Sequence, residues 1–480
     1  MSDFSPPDQD VIDRLKEIVG DRAWRETADA ERYFEDPRGR FVGKGRLVLL
    51  PENTDDVSRI VQLCNQTCTG LIPYGGGTGV VAGQLSPENE NAVILSLERM
   101  NRIREVNTAD FSMVVEAGCI LENVHSAAAD HGLMFPLSMA SKGSCSIGGN
   151  LATNAGGIQV LRYGNARDLC LGIEAVLPSG EVLRELSPLR KNNTGYDLRH
   201  LMIGSEGTLA VITAATIELK PRQPETVTAL CALQSPSEAL LVFETLRKAL
   251  GEALCGLELL SDFGLKLVAD KFPKLQNPLS DPDEWYLLAE FAGSSGLRES
   301  VEHSLAACLE ADWIGDAVVA TSEAQRAMLW DLRENTPEAN RLSGAFCNSD
   351  TAVPISQIDR FVSKTHAAIC AVHPGLRTNS YGHIGDGNIH HNVFPPDGIS
   401  KSDFIAAHPG IIDTVRHAID EVTVACEGSI SAEHGIGRLK TGDLMTYGSG
   451  VKLGVIRQIK AAIDPNNIMN PGVIVSNARS

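Results

Sequence analysis

Apolar residues near the start of the chain recur at helical spacing. Val11, Ile12, Leu15, Ile18 and Val19 share one face of a 3.6-residue repeat, which predicts a helical lead over 11–33. The apolar run 46–51 reads as a strand, and Thr54 is placed to cap a helix running to Cys68. Short strands are predicted at 71–74 and 92–97, and a β-hairpin at 170–183 turns through Pro178-Ser179-Gly180. After the strand-like stretch 208–220, Pro221 and Pro224 break regular structure and mark a domain boundary. Beyond it, strands such as 227–233 alternate with helices such as 237–250, an α+β pattern that continues to about Val424. An amphipathic helix over 450–464 is stopped by Pro465, and the chain shows no internal repeat.

At 480 residues the chain is too long for one core. The pattern divides it into a lead (1–44), a first domain (45–222), a second (223–424) and a C-terminal segment (425–480) that completes the site. A net charge of −19 excludes a nucleic-acid footprint, because phosphate binding needs clustered cations. A small anionic substrate therefore needs a local island of positive charge. The eleven cysteines form no C-x-x-C pair, which points to reduced thiols rather than a disulfide framework or zinc knuckle. The first residues lack the character of a signal or transit peptide, and no apolar run reaches membrane-spanning length. A cytoplasmic protein without a membrane span is expected.

Two short motifs carry candidate chemistry. The first is His383-Ile-Gly-Asp-Gly-Asn-Ile-His390-His391-Asn392, and the second is Ala432-Glu433-His434-Gly435-Ile436-Gly437. The Gly385-Asp386-Gly387 turn would fold two strands together and bring His383 near His390. Two imidazoles and a carboxylate suit a divalent cation with positions left open for substrate. His434, beside that carboxylate, is placed to move a proton. Most other histidines, including His125, His131, His200, His303, His366, His373, His408 and His417, are read as structural; His391 is not assigned as a ligand.

Residues 75–82 contain a GxGxxA pattern that suggests a nicotinamide dinucleotide fold, yet Gly83, Pro87 and the polar 88–91 stretch leave no room for the helix such a loop must open into. Glycines also let main-chain N–H groups converge on phosphate oxygens without intervening side chains. A second small-residue run over 136–157 strengthens that reading, because it offers little apolar bulk for a core. Together the two segments imply a large ligand that needs close backbone approach.

With Arg162-Tyr-Gly164, residues 191–198 and Ile203-Gly-Ser-Glu-Gly-Thr-Leu209, these runs resemble vanillyl-alcohol-oxidase or PCMH-type flavoproteins. The likeness extends from about Gly45 to Gly472 and is greatest to the branch containing D-2-hydroxyglutarate and D-lactate dehydrogenases. It implies an α+β chain: a two-subdomain PCMH-type FAD-binding domain, an α+β substrate domain of the FAD-linked oxidase C-terminal type, and a C-terminal helical segment. It places FAD against Gly75, Gly76, Gly77, Thr78, Gly79, Pro136, Ser138, Gly143, Ser144, Gly148, Gly149, Asn150, Thr153, Asn154 and Gly157, with Glu206, Gly207 and Ile212 towards the adenine half and Asn470 beside the flavin. Thr78 follows the glycines and the first loop has no histidine, so dissociable FAD is expected.

The resemblance also places a divalent metal, zinc first with manganese or iron as alternatives, on His383, His390 and Glu433. Arg333 would grip a substrate carboxylate bidentately, with Thr336 and Asn392 nearby. The implied reaction oxidises a D-2-hydroxy acid: His434 takes the hydroxyl proton and hydride passes to flavin N5. One departure concerns the substrate. Asn348 stands where hydroxyglutarate dehydrogenases carry a lysine, and Pro337 takes the place of a substrate-binding threonine. Losing such a charge-assisted contact costs about 1.5–3 kcal/mol, so a shorter acid such as D-lactate is an alternative.

A metal-dependent hydrolase or oxygenase would use the same two histidines and glutamate but leaves the glycine-rich half unexplained; a flavin-binding protein without turnover would make the histidines structural. With no nicotinamide site, the expected electron acceptor is a protein or a quinone. A homodimer is one assembly compatible with the chain.

Overall fold

In the computed structural model of the protein the first helix spans Gln9–Val19 and stops well short of Tyr33. Asp8 caps its start by accepting from Val11 N at 2.9 Å, and Gly20, at φ +78°, ends it. Trp24–Glu26 instead form a strand antiparallel to Leu47–Leu49. The structure describes residues 6–26, 29–36, 38–86, 92–279 and 283–475, so the polar 88–91 stretch and the first five residues of the chain lie outside it. Among the described residues no helix is long and apolar enough to cross a membrane.

Contacts group the four expected segments into two units: Met1–Gly157, Gly164–Arg222 and Glu433–Ser480 form the first, and Ile158–Tyr163 with Gln223–Ala432 form the second. Besides a two-stranded sheet that pairs Leu133–Met134 with Lys220–Pro221, the first unit holds two larger sheets. One is four-stranded, in the order Trp24–Glu26, Leu47–Leu49, Val93–Ser96, Leu71–Tyr74, and parallel apart from its first strand. The other is a five-stranded antiparallel sheet in which Val211–Glu218 lies between Ser112–Glu116 and Cys170–Val176, with Ile103–Asn107 and Val182–Glu185 at the edges.

The helix Thr54–Gln66 packs Val57, Ile60 and Val61 into the core of the four-stranded sheet. Its cap is Asn53, which accepts from Asp56 N at 2.9 Å, one residue earlier than predicted. Thr54 is buried, and its hydroxyl donates to Glu174 Oε1 at 2.7 Å, so a tertiary partner has taken the group that would have capped the helix.

The C-terminal segment returns to this unit. After the helix Gly450–Ile463, Leu71 N donates to Ile468 O and Asn470 N to Leu71 O, each at 2.8 Å. Lys460 secures the return from inside the core: its ammonium donates to Asp464 Oδ2 at 2.5 Å and to the carbonyls of Thr208 and Met469 at 2.8 Å each. Burial pushes the Lys460 pKa down, opposed by the charge of Asp464.

The second unit is built on an antiparallel eight-stranded sheet. Its main path runs Asp316–Val319, Glu225–Leu233, Trp285–Gly293, Leu254–Ser261, Arg377–His383, Asn388–Phe394 and Cys347–Asn348; Thr351–Ala352 also pairs with the Asn388–Phe394 strand. Alternate residues face opposite sides. Val227, Ala229, Leu257, Leu287 and Ile389 pack under the helices Pro236–Leu250, Leu297–Glu310 and Ile358–Val372. Leu230, Leu260, Leu288 and Tyr381 face residues from Asp262–Lys271, Glu323–Glu334 and Thr336–Leu342. This second side carries the candidate chemistry.

Removing one partner of a buried ion pair leaves an uncompensated charge. Replacing Lys460 with Met is therefore expected to lower folding stability by about 3–5 kcal/mol, measured by urea unfolding.

Candidate functional site

In the first unit the strand Leu71–Tyr74 runs into a loop of bends and turns, with no helix between Gly75 and Ser86. This loop lies main chain to main chain against the second small-residue run. A Cβ at Gly76 would run into the Ser144 carbonyl oxygen, and one at Gly75 would lie 2.7 Å from Ser146 Oγ and 3.2 Å from Gly149 Cα. Gly157 meets the Ser138 carbonyl in the same manner. Several of these glycines are therefore required by packing between loops, before any ligand is considered.

Between the loops lies a cavity that, counted with the solvent-open space at its mouth, spans about 900 Å³. Gly75, Gly76, Gly77, Thr78 and Gly79 line it, with Gly148, Gly149, Asn150, Thr153, Glu206, Gly207, Ile212 and Asn470. Pro136, Ser138, Gly143, Ser144, Asn154 and Gly157 are not among the lining residues. Asn154, at φ +50°, accepts Arg167 N at 3.0 Å, and Ser144 backs Gly76. Gly149 differs from Gly76: the nearest atom to its Cβ position is Ser146 Oγ at 3.3 Å, a tight contact with a side-chain hydroxyl rather than a clash with main chain, and it lies in the cavity wall. A wall made of main chain and small residues fits a long, flat dinucleotide that needs close backbone approach.

His434 is in the wall of the same cavity. Its Nε2 lies 3.8 Å from Glu433 Oε1, and both residues belong to the first unit. Asn470 Nδ2 donates to Gly83 O at 2.9 Å and to Glu206 O at 2.8 Å, which joins three distant parts of the chain at the cavity.

His383 and His390 belong to the second unit. As predicted, they lie on the two strands of a hairpin, with ring centroids 6.3 Å apart and both side chains buried. Asp386 is a turn residue whose Oδ1 accepts Asn388 N at 3.2 Å, and burial pushes its pKa up. His383 Nδ1 lies 2.8 Å from Glu258 Oε1, and His390 Nδ1 lies 3.2 Å from Ser349 O. An acceptor at Nδ1 assigns the proton there and the lone pair to Nε2, the tautomer a metal-ligating histidine needs. These two imidazoles could each offer Nε2 to a cation.

Glu258 is fully buried and joins two functions. Its other oxygen accepts from Arg333 Nε at 2.6 Å, and the Arg333 guanidinium lies 4.9 Å from the Tyr381 ring. Burial would raise the Glu258 pKa. The charges of Arg333 and then His383, with their hydrogen bonds, outweigh that and hold the carboxyl well below its usual range. Thus Arg333, expected to grip substrate, already commits its Nε to a protein carboxylate. Thr336 donates its hydroxyl to Leu332 O at 3.0 Å, and Asn392 pairs in register with both Asn348 and Asn379.

His391 points to the opposite side of the sheet, as strand alternation requires. It is fully buried beside Phe361, and its Nδ1 shares Ser380 Oγ with His366 Nε2, each contact 2.7 Å. Burial first, then the neighbouring His366 and His390, push its pKa well down. The sequence reading missed Glu258, Tyr381, Ser349 and Ser146. A lone acid inside the apolar run Leu254–Ser261 was the available signal for Glu258.

Known proteins resemble the chain over nearly its whole length. Residues 46–185 match an FAD binding domain, and residues 222–474 match the C-terminal domain of FAD linked oxidases. The chain is 38% identical over 466 residues to a D-2-hydroxyglutarate dehydrogenase of Xanthomonas citri pv. viticola, covering 97% of this chain and 96% of that protein. It is 35% identical to the mitochondrial D-2-hydroxyglutarate dehydrogenase of Arabidopsis thaliana, covering 98% and 82% respectively. Among solved structures, 4-ethylphenol oxidase from Gulosibacter chungangensis matches with a TM-score of 0.75 at 20% identity, over 97% of this chain and 96% of that one. The fold is that of PCMH-type flavoproteins.

Gly76 and Gly149 separate packing from ligand accommodation. Gly76→Ala should destabilise the flavin-free protein by about 1–3 kcal/mol through overpacking, read by thermal unfolding. Gly149→Ala, inside the helix Ile147–Ala152 and meeting only the Ser146 hydroxyl, should cost less stability than Gly76→Ala and weaken FAD binding, read by flavin titration.

Proposed function

The chain belongs to the FAD-linked oxidases, in the branch of the D-2-hydroxyglutarate dehydrogenases, and is an FAD-dependent 2-hydroxyacid dehydrogenase; from that premise we propose that it oxidises D-2-hydroxyglutarate with a divalent cation and His434 as base. One observation carries the reading: the cavity that fits the dinucleotide has His434 in its wall. The proposed cation ligands are His383, His390 and Glu433, with zinc first and manganese or iron as alternatives. Bound FAD supplies the hydride acceptor at N5, and a bound cation supplies Lewis acidity at the substrate oxygens.

The protein's own groups do the rest. Arg333 binds a substrate carboxylate while its Nε remains on Glu258, which keeps the guanidinium fixed in orientation. Glu258 and the Ser349 carbonyl hold the rings of His383 and His390 in one tautomer. His434 accepts the hydroxyl proton as the α-hydrogen departs. The flavin is held without a covalent bond, since Gly77-Thr78-Gly79 offers no histidine for attachment. The eleven free thiols suit a cytoplasmic location, and the proposed electron acceptor is a protein or a quinone.

A second reading concerns the substrate tail. Asn348 lies in register opposite Asn392, so an amide occupies the position where the sequence departs from a lysine. This favours an acid whose tail is short or uncharged, such as D-lactate.

Anaerobic mixing with D-2-hydroxyglutarate is expected to bleach the flavin absorption, and with D-lactate to do so less efficiently; no bleaching by either D-acid would overturn the reading. His434→Asn should retain FAD yet slow flavin reduction by about 10²–10⁴-fold. Glu258→Gln should lower cation affinity by about 10–100-fold, measured by chelator competition and metal analysis rather than turnover. Acid precipitation should release the yellow colour into the supernatant.

A further inference from the structure

The loop that carries His434 is attached to the flavin cavity by a carboxylate from elsewhere in the chain. Glu206 is buried, and its own backbone lies at φ +53°. Its Oε1 accepts Ile436 N at 2.8 Å and its Oε2 accepts Gly437 N at 2.7 Å, across a sequence separation of 230 residues. Two consecutive N–H groups thus meet the two oxygens of one carboxylate, a charge-assisted arrangement stronger than neutral hydrogen bonds.

The neighbouring residues are shaped to permit that approach. Gly435 directly follows His434, and a Cβ there would lie 2.8 Å from Glu206 Oε1 at a backbone φ of +81°. A Cβ at Gly437 would run into the Val81 carbonyl. Glu206 is itself fixed, because its N–H donates to Ala152 O at 2.8 Å and its carbonyl accepts from Asn470 Nδ2. On the far side of the loop Arg438 Nε donates to Leu85 O at 2.7 Å and its NH1 to Pro471 O at 2.6 Å. Every one of these anchors belongs to the first unit. Burial pushes the Glu206 pKa up, and the two N–H groups oppose that shift.

From this geometry we infer that Glu206 is a positioning residue, whose carboxylate holds the His434 loop at the wall of the flavin cavity so that removal of the substrate hydroxyl proton depends on it. The sequence resemblance places Glu206 towards the adenine half of FAD; the residue lines the cavity, and its two carboxylate oxygens also tie the loop. The inference rests on His434 being the base, as proposed above. An isosteric Glu206→Gln change replaces one acceptor oxygen by an NH2 group that faces an N–H donor, and the loop loses one of its two ties.

The test uses the FAD-loaded full chain and compares Glu206→Gln, His434→Asn and the double variant in anaerobic flavin reduction by D-2-hydroxyglutarate. Glu206→Gln is expected to reduce flavin about 10–100-fold more slowly, the scale of a reacting group displaced by an ångström, while FAD content and KM stay within twofold of the unaltered protein. Because Glu206 acts through His434, the double variant should be no slower than His434→Asn alone. Unchanged reduction in Glu206→Gln, loss of its FAD, or a further slowing in the double variant would each overturn the inference. Wild-type reduction in His434→Asn would overturn the base assignment itself, a result separable from all of these.

Discussion

A carboxylate taken out of water has to be met at each oxygen, and the partners that meet it become fixed in place. Glu258 and Glu206 both work under this constraint. Glu258 holds His383 and Arg333, which come from a strand and a helix far apart in sequence. Glu206 holds two N–H groups of the loop that follows His434. Asp464 plays a comparable part for the C-terminal return, accepting from Lys460, Ile468 N and Met469 N. Each of these carboxylates would be destabilising without its partners. With them, each converts its desolvation cost into the orientation of a group close to the chemistry.

The glycine-rich loops answer a different constraint, that of distance. Gly76 and Gly157 are needed because main chain meets main chain, whereas a Cβ at Gly149, in the cavity wall, would press only on the Ser146 hydroxyl. A run of small residues therefore serves two purposes, loop packing and ligand accommodation, and composition alone does not say which glycine serves which. This separates the 136–157 segment into a backing layer, with Ser138, Ser144 and Gly157, and a lining layer, with Gly148, Gly149, Asn150 and Thr153.

Legibility followed the range of the interaction. The hairpin bearing His383 and His390 was readable because a Gly-Asp-Gly turn and strand alternation are local, and alternation alone sends His391 to the far side of the sheet. The helix predicted over 11–33 was misjudged after Val19. There Gly20 ends the helix, and Trp24–Glu26 gains hydrogen bonds from a strand more than twenty positions later, a non-local reward that periodicity does not encode. The type and place of Thr54 suit a cap, yet its hydroxyl donates to Glu174 instead.

By itself the sequence determined the residue types and local turns: an α+β chain, glycine runs that permit close backbone approach, a histidine hairpin, and a motif pattern specific enough to identify a flavoprotein family. Tertiary structure alone decided which oxygens those residues face. The bonds from Glu258 to His383 and from Glu206 to Gly437 link positions separated by more than a hundred residues, and neither end carries a local signal of its partner. The physical reason is that burial, not sequence neighbourhood, makes a carboxylate seek those groups, and burial exists only once the chain has folded.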